Sequence, residues 1–300
     1  MKYYLGIDGG GSKTTAIICD ENLNLVSRFV GESINFNSVG MEKARENLKA
    51  TVDGVLFGKD IQLSAVFIGM SAIAERADDT FTKKLCEGII DCPKITMDSD
   101  VYIGLEAMRC ECPAAMVISG TGSMAVGRLE NGSIIHTGGW GYILGDEGSG
   151  YAIAIDALKA AICGYEGSGE KTLLTDAVME HYKVENMLEI IDLFYDPPMP
   201  RSEIAKFAPV VFECSEKDSV ADAIISNHAR LLAQTVCALL SKMPAGTPLG
   251  LWGGIFENQE NFRIRFSAII NESFPETKIN VLEYAPEYGA VFAAIKTDGE

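Results

Sequence analysis

Residues 6–20 read GIDGGGSKTTAIICD and place three glycines between two apolar runs near the start of the chain. The preceding run, Tyr3–Ile7, has the composition of a strand, and the following run, Thr14–Cys19, is rich in β-branched residues. In the phosphate loops of nucleotide triphosphatases and in dinucleotide folds, the glycines lead into a helix. Here two strands flank the glycines, which predicts that they form the tip of a hairpin.

This first hairpin tip offers backbone amides and side chains to an anion. The three glycines are expected to adopt positive φ and to expose consecutive N–H groups. A glycine-rich stretch alone is a weak signal, so phosphate binding and an ordinary turn both remain open at this point. If the tip binds phosphate, the expected ligating residues are Gly10, Gly11, Ser12, Lys13 and Thr14.

A second hairpin tip repeats this layout. Residues 117–135 read VISGTGSMAVGRLENGSII, and Ser119 follows Asp8 by 111 residues, with strand-like runs again on both sides. Two such tips in matching contexts predict two similar halves that grip a triphosphate from both sides. The second set of expected phosphate ligands is Gly120, Thr121 and Gly122.

A third glycine-rich stretch, residues 248–258, reads PLGLWGGIFEN. Leu249–Trp252 is a predicted strand, and Asn261–Asn271 has helical spacing. The pair Gly253 and Gly254 would let a flat adenine ring approach the backbone, but an ordinary strand-to-helix turn explains the same residues equally well.

The bulk composition excludes several function classes. The net charge of −17 argues against a nucleic-acid or anionic-membrane surface, which would need a basic face. The eight cysteines are scattered through apolar segments and are expected to be reduced thiols. No apolar run reaches the length of a membrane span, and Asp8 lies where a signal peptide would be apolar. We therefore expect a soluble, cytoplasmic protein.

The motifs GIDGGGSKT, ISGTGS, GGWGYILGDEGSGY and GGIFEN together resemble the actin-like ATPase and sugar kinase superfamily. More narrowly, they resemble the N-acetylglucosamine kinase-like proteins of the BadF/BadG/BcrA/BcrD ATPase family, which also includes activators of 2-hydroxyacyl-CoA dehydratases. The resemblance spans residues 6–294 and is most specific over residues 138–151. It implies an α/β fold of two actin-like (ribonuclease H-like) domains with a nucleotide and sugar cleft between them.

The resemblance also assigns roles to individual residues. It implies that Asn35 and Ser71 contact the sugar, although Ala72 stands where the family often has glycine. It implies a hydroxyl-accepting role for Asp146 and adds Gly139 to the sugar site. Independently, the glycines that flank Trp140 predict an exposed indole, on which a sugar face can stack.

A sugar kinase also needs a base beside the attacked hydroxyl, and two aspartates in KITMDSDVYIGLEAM (residues 94–108) compete for this role. Asp98 ends a predicted strand, where open α/β sheets place their chemistry, and it matches the family's base by its distance to Ile103. Asp100 stands at a predicted helix start, where helix capping explains it. Asp98 is therefore the preferred base, and Asp8, at its own strand end, is expected to hold Mg²⁺ through water.

The predicted organisation divides the chain into residues 1–113 plus 285–300 and residues 114–284. The larger part is expected to carry a helical insertion over residues 151–242, with a proline-marked loop at residues 192–202. Residues 285–296 are apolar at helical spacing and are expected to return to the first domain.

Three functions compete. The first is an ATP- and Mg²⁺-dependent kinase that phosphorylates an amino sugar, N-acetylglucosamine or glucosamine, at the 6-hydroxyl, as the homodimer usual among similar proteins. The second is an ATPase activator of a radical dehydratase, for which Cys110 and Cys112 are the relevant thiols. The third is a sugar-sensing regulator without catalysis. The kinase is preferred because residues 119–123 lack the cysteine of the activators, and because Asp98 is present.

Overall fold

The computed structural model describes residues 1–73 and 76–299. It divides into two compact units, Met1–Glu111 with Leu282–Glu300 and Cys112–Val281. We call these unit 1 and unit 2. The domain boundaries predicted above lie within a few residues of these limits, and their status as independent folding domains stays a prediction.

Unit 1 is built on a sheet whose strands are β1 (Tyr3–Gly9), β2 (Lys13–Asp20), β3 (Leu25–Glu32), β4 (Leu63–Met70) and β5 (Ile95–Ser99). The strand order is β3-β2-β1-β4-β5. β1, β2 and β3 pair antiparallel, whereas β4 pairs parallel with both β1 and β5. Its first helices are α1 (Phe36–Val39), α2 (Met41–Leu56), α3 (Asp79–Cys86) and α4 (Asp100–Ala107).

Alternating side chains divide the core of unit 1 into two layers. Leu5 and Ile7 of β1 pack in the cluster that includes Leu48 of α2, while Tyr4 faces the opposite cluster with Ile103 of α4. The helix α4 starts directly after β5, because Ser99 caps it by accepting a hydrogen bond from the Tyr102 amide at 3.2 Å. Both faces of the sheet are therefore covered.

Unit 2 has the strands β6 (Ala114–Ser119), β7 (Ser123–Arg128), β8 (Ile134–Gly138), β9 (Leu249–Trp252) and β10 (Ile279–Val281). Its helices are α5 (Gly150–Glu166), α6 (Leu174–Tyr182), α7 (Ile190–Tyr195), α8 (Arg201–Ala205), α9 (Ala208–Ser215), α10 (Ser219–Leu240), α11 (Gly254–Asn258) and α12 (Glu260–Ser273). The strand order is β10-β9-β6-β7-β8.

The two sheets have the same topology. In each sheet, the first three strands form an antiparallel meander, and the fourth and fifth strands add parallel to the first. This confirms the prediction of two similar α/β halves that was made from the repeated hairpin tips. The predicted loop at residues 192–202 is shorter than expected, because α7 continues to Tyr195 and α8 begins at Arg201.

The last helix, α13 (Pro286–Gly299), packs in unit 1 on the α4 side of the sheet. Its close fit depends on glycine, because a β carbon on Gly289 would collide with the Ile103 carbonyl and one on Gly6 would collide with the Glu287 carbonyl. Lys296 of α13 pairs with the buried Glu106 of α4.

Among the described residues, α10 alone is long and apolar enough to cross a membrane, by length and composition only. Its buried side chains belong to the core of unit 2, with Ile225, Leu232 and Val236 among them. We therefore interpret α10 as a core helix.

Candidate active site

In unit 1, three parallel strands bring two of the predicted site residues into one row. Asp8 of β1 pairs in register with Gly69 of β4, and Gly69 pairs in register with Asp98 of β5. Because these positions lie at the carboxyl ends of parallel strands, the row occupies the sheet edge where α/β proteins bind ligands. Gly69 must be small here, since a β carbon would lie 2.9 Å from Ile103 Cγ2.

Asp8 lies among other acids. Burial raises the pKa of its carboxyl to about 7, and the charges of Asp100 and Glu287 act in the same direction. Lys13 partly opposes this shift. A carboxylate held in such a place is poorly compensated by the protein itself, so a cation at this point would be bound favourably.

The two candidate bases differ in their contacts. Asp98 is buried, and its Oδ1 accepts hydrogen bonds from the Ser99 amide at 2.6 Å and from the Ser99 hydroxyl at 3.2 Å. Asp100 opens α4, and its Oδ1 accepts from the Val101 amide at 2.9 Å. Burial raises the pKa of Asp100. Ser99 and not Asp100 is the N-cap of α4, so Asp100 is an acidic residue of the first helical turn whose charge acts on Asp8.

The structure also brings the two predicted sugar contacts of unit 1 together. Asn35 Nδ2 donates to Ser71 Oγ at 3.1 Å, and the Ser71 amide donates to the Gly9 carbonyl at 3.1 Å. Asn35 is held by its own turn, because Oδ1 accepts from the Asn37 amide at 3.0 Å. Asn35 and Ser71 thus lie at the strand end that carries Asp8.

The first hairpin tip differs from expectation in one respect. None of Gly9, Gly10 and Gly11 is among the positive-φ glycines, so the predicted left-handed arrangement is wrong. Gly9 is required by packing instead, because a β carbon would lie 2.7 Å from Ile34 Cδ1. At Gly11 such a carbon would meet only open space. The exposed face of this tip, with Ser12, is therefore unobstructed.

In unit 2, hydrogen bonds join the second hairpin tip to the segment that follows Asp146. The Ser119 hydroxyl donates to the Gly148 carbonyl at 2.6 Å, and the Ser123 hydroxyl donates to the Glu147 carbonyl at 2.8 Å. The Gly150 amide donates to the Gly120 carbonyl at 2.7 Å. Two motifs that are distant in sequence therefore form one surface.

Asp146 lies at the centre of this surface. It is buried and adopts φ +64°, an uncommon conformation for a residue other than glycine. A β carbon on Gly122 would lie 2.8 Å from Asp146 Oδ2. Burial raises the pKa of Asp146, while hydrogen bonds from the Gly141 and Ser123 amides and the charge of Arg201 lower it. The carboxylate thus lies directly beside an expected phosphate-binding glycine.

The loop before Asp146 presents an apolar tip. Trp140 is 69% exposed, as its flanking glycines predicted, and Gly139 adopts φ +72°. A β carbon on Gly139 would lie 2.9 Å from Met124 Cγ, so the chain can turn there only with glycine. Ile143 and Leu144 are exposed as well, which the sequence did not indicate.

A cavity of about 420 Å³ opens in unit 2 beside the second hairpin tip. No acidic side chain is found among the described residues that line it, so a polyanionic ligand would meet no like charge at its walls. Lys206, at the cavity, is paired with Glu203. The lining residues are Gly120, Thr121, Gly150, Ser202, Ala205, Lys206, Ala208, Pro209, Gly254, Ile255, Asn258 and Gln259.

The two glycines of the third motif have different surroundings. Gly253 adopts φ +105°, and a β carbon there would collide with the Ser119 carbonyl, so strand packing requires this glycine. Gly254 lines the cavity, and a β carbon there would have open space, with Asn258 Nδ2 the nearest atom at 3.9 Å. The adenine interpretation places both glycines at the nucleotide, but of the two only Gly254 lines the cavity.

Sequence reasoning missed several residues that line this cavity. Ser202 of α8, Lys206 directly after α8, and Pro209 of α9 come from the helical insertion, whose position on the sheet no local pattern indicates. Asn258 was within the quoted GGIFEN motif, four residues after Gly254, where one helical turn brings it to the same side. That spacing could have identified it.

Among the described residues, no group of three or more His, Cys, Asp or Glu side chains is arranged to hold a metal ion. All eight cysteines are free thiols. Asp8 can therefore provide only part of a cation's ligand shell.

Comparison with known proteins places the chain among sugar kinases. Over 302 residues it is 32% identical to the N-acetylmuramic acid/N-acetylglucosamine kinase of Clostridium acetobutylicum, with 98% of each chain covered. It is 25% identical to the N-acetyl-D-glucosamine kinase of Dictyostelium discoideum, again over 98% of each chain.

A solved structure from Chromobacterium violaceum, which carries the name N-acetylglucosamine kinase, superposes with a TM-score of 0.75 at 19% identity. The match covers 97% of this chain and 98% of that one. This likeness confirms the actin-like fold. The model of the BadF/BadG/BcrA/BcrD ATPase family matches residues 5–295. The chain therefore belongs to the BadF/BadG/BcrA/BcrD ATPase family.

Proposed function

We propose that the protein is an ATP-dependent kinase that transfers the γ-phosphoryl group to a hydroxyl of an amino sugar. The observation that carries this proposal is the hydrogen-bonded surface of unit 2, in which the buried Asp146 carboxylate lies against Gly122 of the second hairpin tip. The residue expected to accept a sugar hydroxyl and the loop expected to bind phosphate are adjacent there, which supports a kinase. The two relatives matched over 98% of this chain are named as kinases of N-acetylated amino sugars.

The cavity of unit 2 is proposed to receive the adenosine part of ATP, and each hairpin tip is proposed as a phosphate-binding element. Gly254 and the amide side chains of Asn258 and Gln259 would receive the adenosine part. The phosphates would be held by backbone amides and hydroxyls of the tips, which suits an anion. The expected ligands are Gly10, Gly11, Ser12, Lys13, Thr14, Gly120, Thr121 and Gly122.

Mg²⁺ fits Asp8. Mg²⁺ keeps several waters and binds through one or two carboxylates together with substrate phosphates, so a full cluster of protein ligands is not needed. The raised pKa of Asp8, about 7, reports a carboxylate whose charge the protein leaves poorly compensated. When bound, the ion would neutralise developing charge on the transferred phosphoryl group.

Asp98 is proposed as the general base. It would accept the proton of the sugar hydroxyl as that oxygen attacks the γ-phosphorus. The Ser99 amide and hydroxyl both donate to Oδ1, which orients the carboxylate at the end of β5. Asp100 remains the rival base.

The acceptor is proposed to be N-acetylglucosamine or glucosamine, phosphorylated at the primary 6-hydroxyl. Asn35, Ser71 and Asp146 are each proposed to bind sugar hydroxyls. Trp140, being exposed at a loop tip, would cover the sugar face or its acetyl methyl. Such polar sites discriminate strongly against substrates that lack one hydroxyl.

The activator function is not favoured. It needs cysteines that hold an iron–sulfur cluster, and residues 119–123 of the second hairpin tip lack the cysteine of the activators. The relatives that cover the whole chain are named as kinases.

A coupled ADP-release assay over a sugar panel tests the proposal. N-acetylglucosamine, glucosamine, N-acetylmannosamine, glucose and 6-deoxy-N-acetylglucosamine would each be supplied with ATP and Mg²⁺. We expect release with an amino sugar, weak release with glucose and none with the 6-deoxy analogue. No response to any amino sugar, together with a response to a purified dehydratase, would replace the kinase by the activator.

The remaining proposals concern assembly and location. We propose a homodimer in the cytoplasm, on the basis of similar proteins and of the acidic, apolar-rich composition. Light scattering across a concentration series measures the first, and fractionation of cells measures the second.

A further inference from the structure

His228 of α10 holds the segment that follows Asp146. The imidazole is buried, with 1% of its surface exposed. Its Nδ1 accepts a hydrogen bond from the Gly148 amide at 3.1 Å, and its Nε2 lies 3.2 Å from Asp156 Oδ2 on α5. Because the Gly148 amide is a donor, Nδ1 must be unprotonated, so Nε2 carries the proton and donates to Asp156.

We propose that His228 is a positioning residue for the acceptor site, which it controls by fixing the Gly148 peptide and through it Asp146. This rests on the proposed function, because it assigns a task to the loop that would bind the sugar. The imidazole does not touch the reacting atoms. It acts through the backbone, first on the Gly148 amide and then, through the turn over residues 146–149, on Asp146.

The Gly148 peptide is held on both sides. Its amide donates to His228, and its carbonyl accepts from the Ser119 hydroxyl at 2.6 Å. Gly148 adopts φ +78°, and a β carbon there would lie 2.7 Å from Leu232 Cβ, so the loop lies directly on α10. The position of α10 therefore sets the position of this peptide.

The fixed peptide determines the conformation of Asp146. The Ser149 amide donates to the Asp146 carbonyl at 3.1 Å, which closes a turn over residues 146–149. Asp146 itself adopts φ +64°, a conformation that costs free energy unless its surroundings impose it. With the Gly148 amide released, this turn would lose its hydrogen bond to α10.

The groups around the imidazole are consistent with one neutral tautomer. Asp156 Oδ1 pairs with Lys159 at 3.1 Å, so Oδ2 is the oxygen left to accept from Nε2. Glu147 Oε2 lies 3.7 Å from Nδ1, which is beyond hydrogen-bond distance. The ring is thus oriented by Asp156 on one side and by Gly148 on the other.

Two substitutions separate positioning from mere core packing. His228→Asn keeps an acceptor oxygen close to the place of Nδ1 and loses the donor to Asp156. His228→Gln can keep a donor close to Nε2 and loses the acceptor for Gly148. Each variant loses one of two hydrogen bonds, so a purely structural role predicts similar losses of activity.

Steady-state kinetics with N-acetylglucosamine and glucosamine give the first readout. We expect His228→Gln to lower kcat/KM for the sugar about tenfold, mainly by raising the KM for sugar, which is the cost of one buried donor left unpaired. His228→Asn should stay within about threefold of wild type, and the KM for ATP should change little in both. His181→Gln, on α6, is the matched control. Equal losses in the two His228 variants, or none in either, would overturn the proposal.

The second readout does not depend on any sugar. The chain has three histidines, so ¹⁵N-labelled imidazoles can be assigned by substituting each one. We expect the signals of His228 to report a protonated Nε2 and an unprotonated Nδ1 at neutral pH. The opposite tautomer would refute the positioning role even if the kinase activity is present. Absence of phosphorylation in wild type, with this tautomer observed, would instead refute the proposed function alone.

Discussion

The two sheet edges that carry the hairpin tips share one topology, but the residues at matching positions differ in chemistry. Asp8 ends β1 in unit 1, and Ser119, 111 residues later, ends β6 in unit 2. Burial raises the pKa of Asp8, and the charges of Asp100 and Glu287 add to this shift. Ser119 is fully buried and uses its hydroxyl to hold Gly148.

This difference indicates that two copies of one topology can serve different functions. The edge of unit 1 keeps the buried Asp8 carboxylate beside the like charges of Asp100 and Glu287, where a cation would be bound favourably. The edge of unit 2 satisfies its polar groups internally and so presents a rigid loop. Substitutions at one edge at a time can test whether cation binding and proton transfer belong to unit 1 and the rigid loop to unit 2.

The largest effect is expected at the acidic edge. Asp98→Asn should lower kcat by roughly 10²–10⁴, because the amide cannot accept the sugar proton. ATP binding, measured with a fluorescent analogue, should persist. Asp100→Asn is the matched control, two residues away. If Asp100→Asn abolishes turnover and Asp98→Asn does not, then Asp100 is the base.

The second effect concerns Asp8, where function and stability oppose each other. The pKa of this carboxyl is about 7 in the folded protein, against an ordinary value of 3.8. Ionising this carboxyl therefore lowers the free energy of unfolding as the pH rises from about 4 to about 7. Above this range the loss reaches about 4 kcal/mol. Asp8→Asn should raise the Tm of the ligand-free protein at pH 8 and abolish Mg²⁺-dependent turnover.

The pH dependence makes the Asp8 test specific. The gain in Tm should grow between about pH 4 and pH 7 and stay constant above. Asp20→Asn is the control of opposite sign, because hydrogen bonds from the side chain and backbone of Asn24 lower the pKa of Asp20. A loss of Tm in Asp8→Asn at pH 8 would contradict the like-charge interpretation.

The third effect separates packing from binding in unit 2. Gly253→Ala should destabilise the fold by about 1–3 kcal/mol, because φ +105° and the Ser119 carbonyl exclude a methyl group. Gly254→Ala should leave unfolding by denaturant nearly unchanged and raise the KM for ATP, since it places a methyl in the cavity. Equal destabilisation of both variants would mean that Gly254 is also a packing residue.

Much of this comparison was predictable from sequence, because strands flanked both glycine-rich tips and the second tip repeated the first. The strand ends then located Asp8 and Asp98 at one edge. The backbone conformation of the tips was not predictable. Gly9 looked like a residue chosen for positive φ, whereas contact with Ile34 requires it. Only the folded chain shows which neighbour limits a glycine.

Long-range partners were equally hidden from the sequence. The sequence around His228 shows no ligand spacing, yet its imidazole contacts Gly148, 80 residues earlier. Its partner is a backbone amide, and a backbone amide has no sequence signature. The cavity wall formed by α8 and α9 was missed for a related reason, since the packing of an insertion on the sheet depends on contacts that no local pattern encodes.

The smallest effect compares the matching serines of the two tips. Ser123→Ala should lower the free energy of unfolding by about 1 kcal/mol, because the Ser123 hydroxyl donates to the Glu147 carbonyl at 2.8 Å. Ser12→Ala should leave stability within a few tenths of a kcal/mol, because the Ser12 side chain is exposed. Its effect should appear in the KM for ATP instead. Denaturant unfolding and ATP titration of both variants measure the two effects. A stability loss at Ser12, with an unchanged KM for ATP, would show that the first tip is also braced internally and would remove the contrast between the edges.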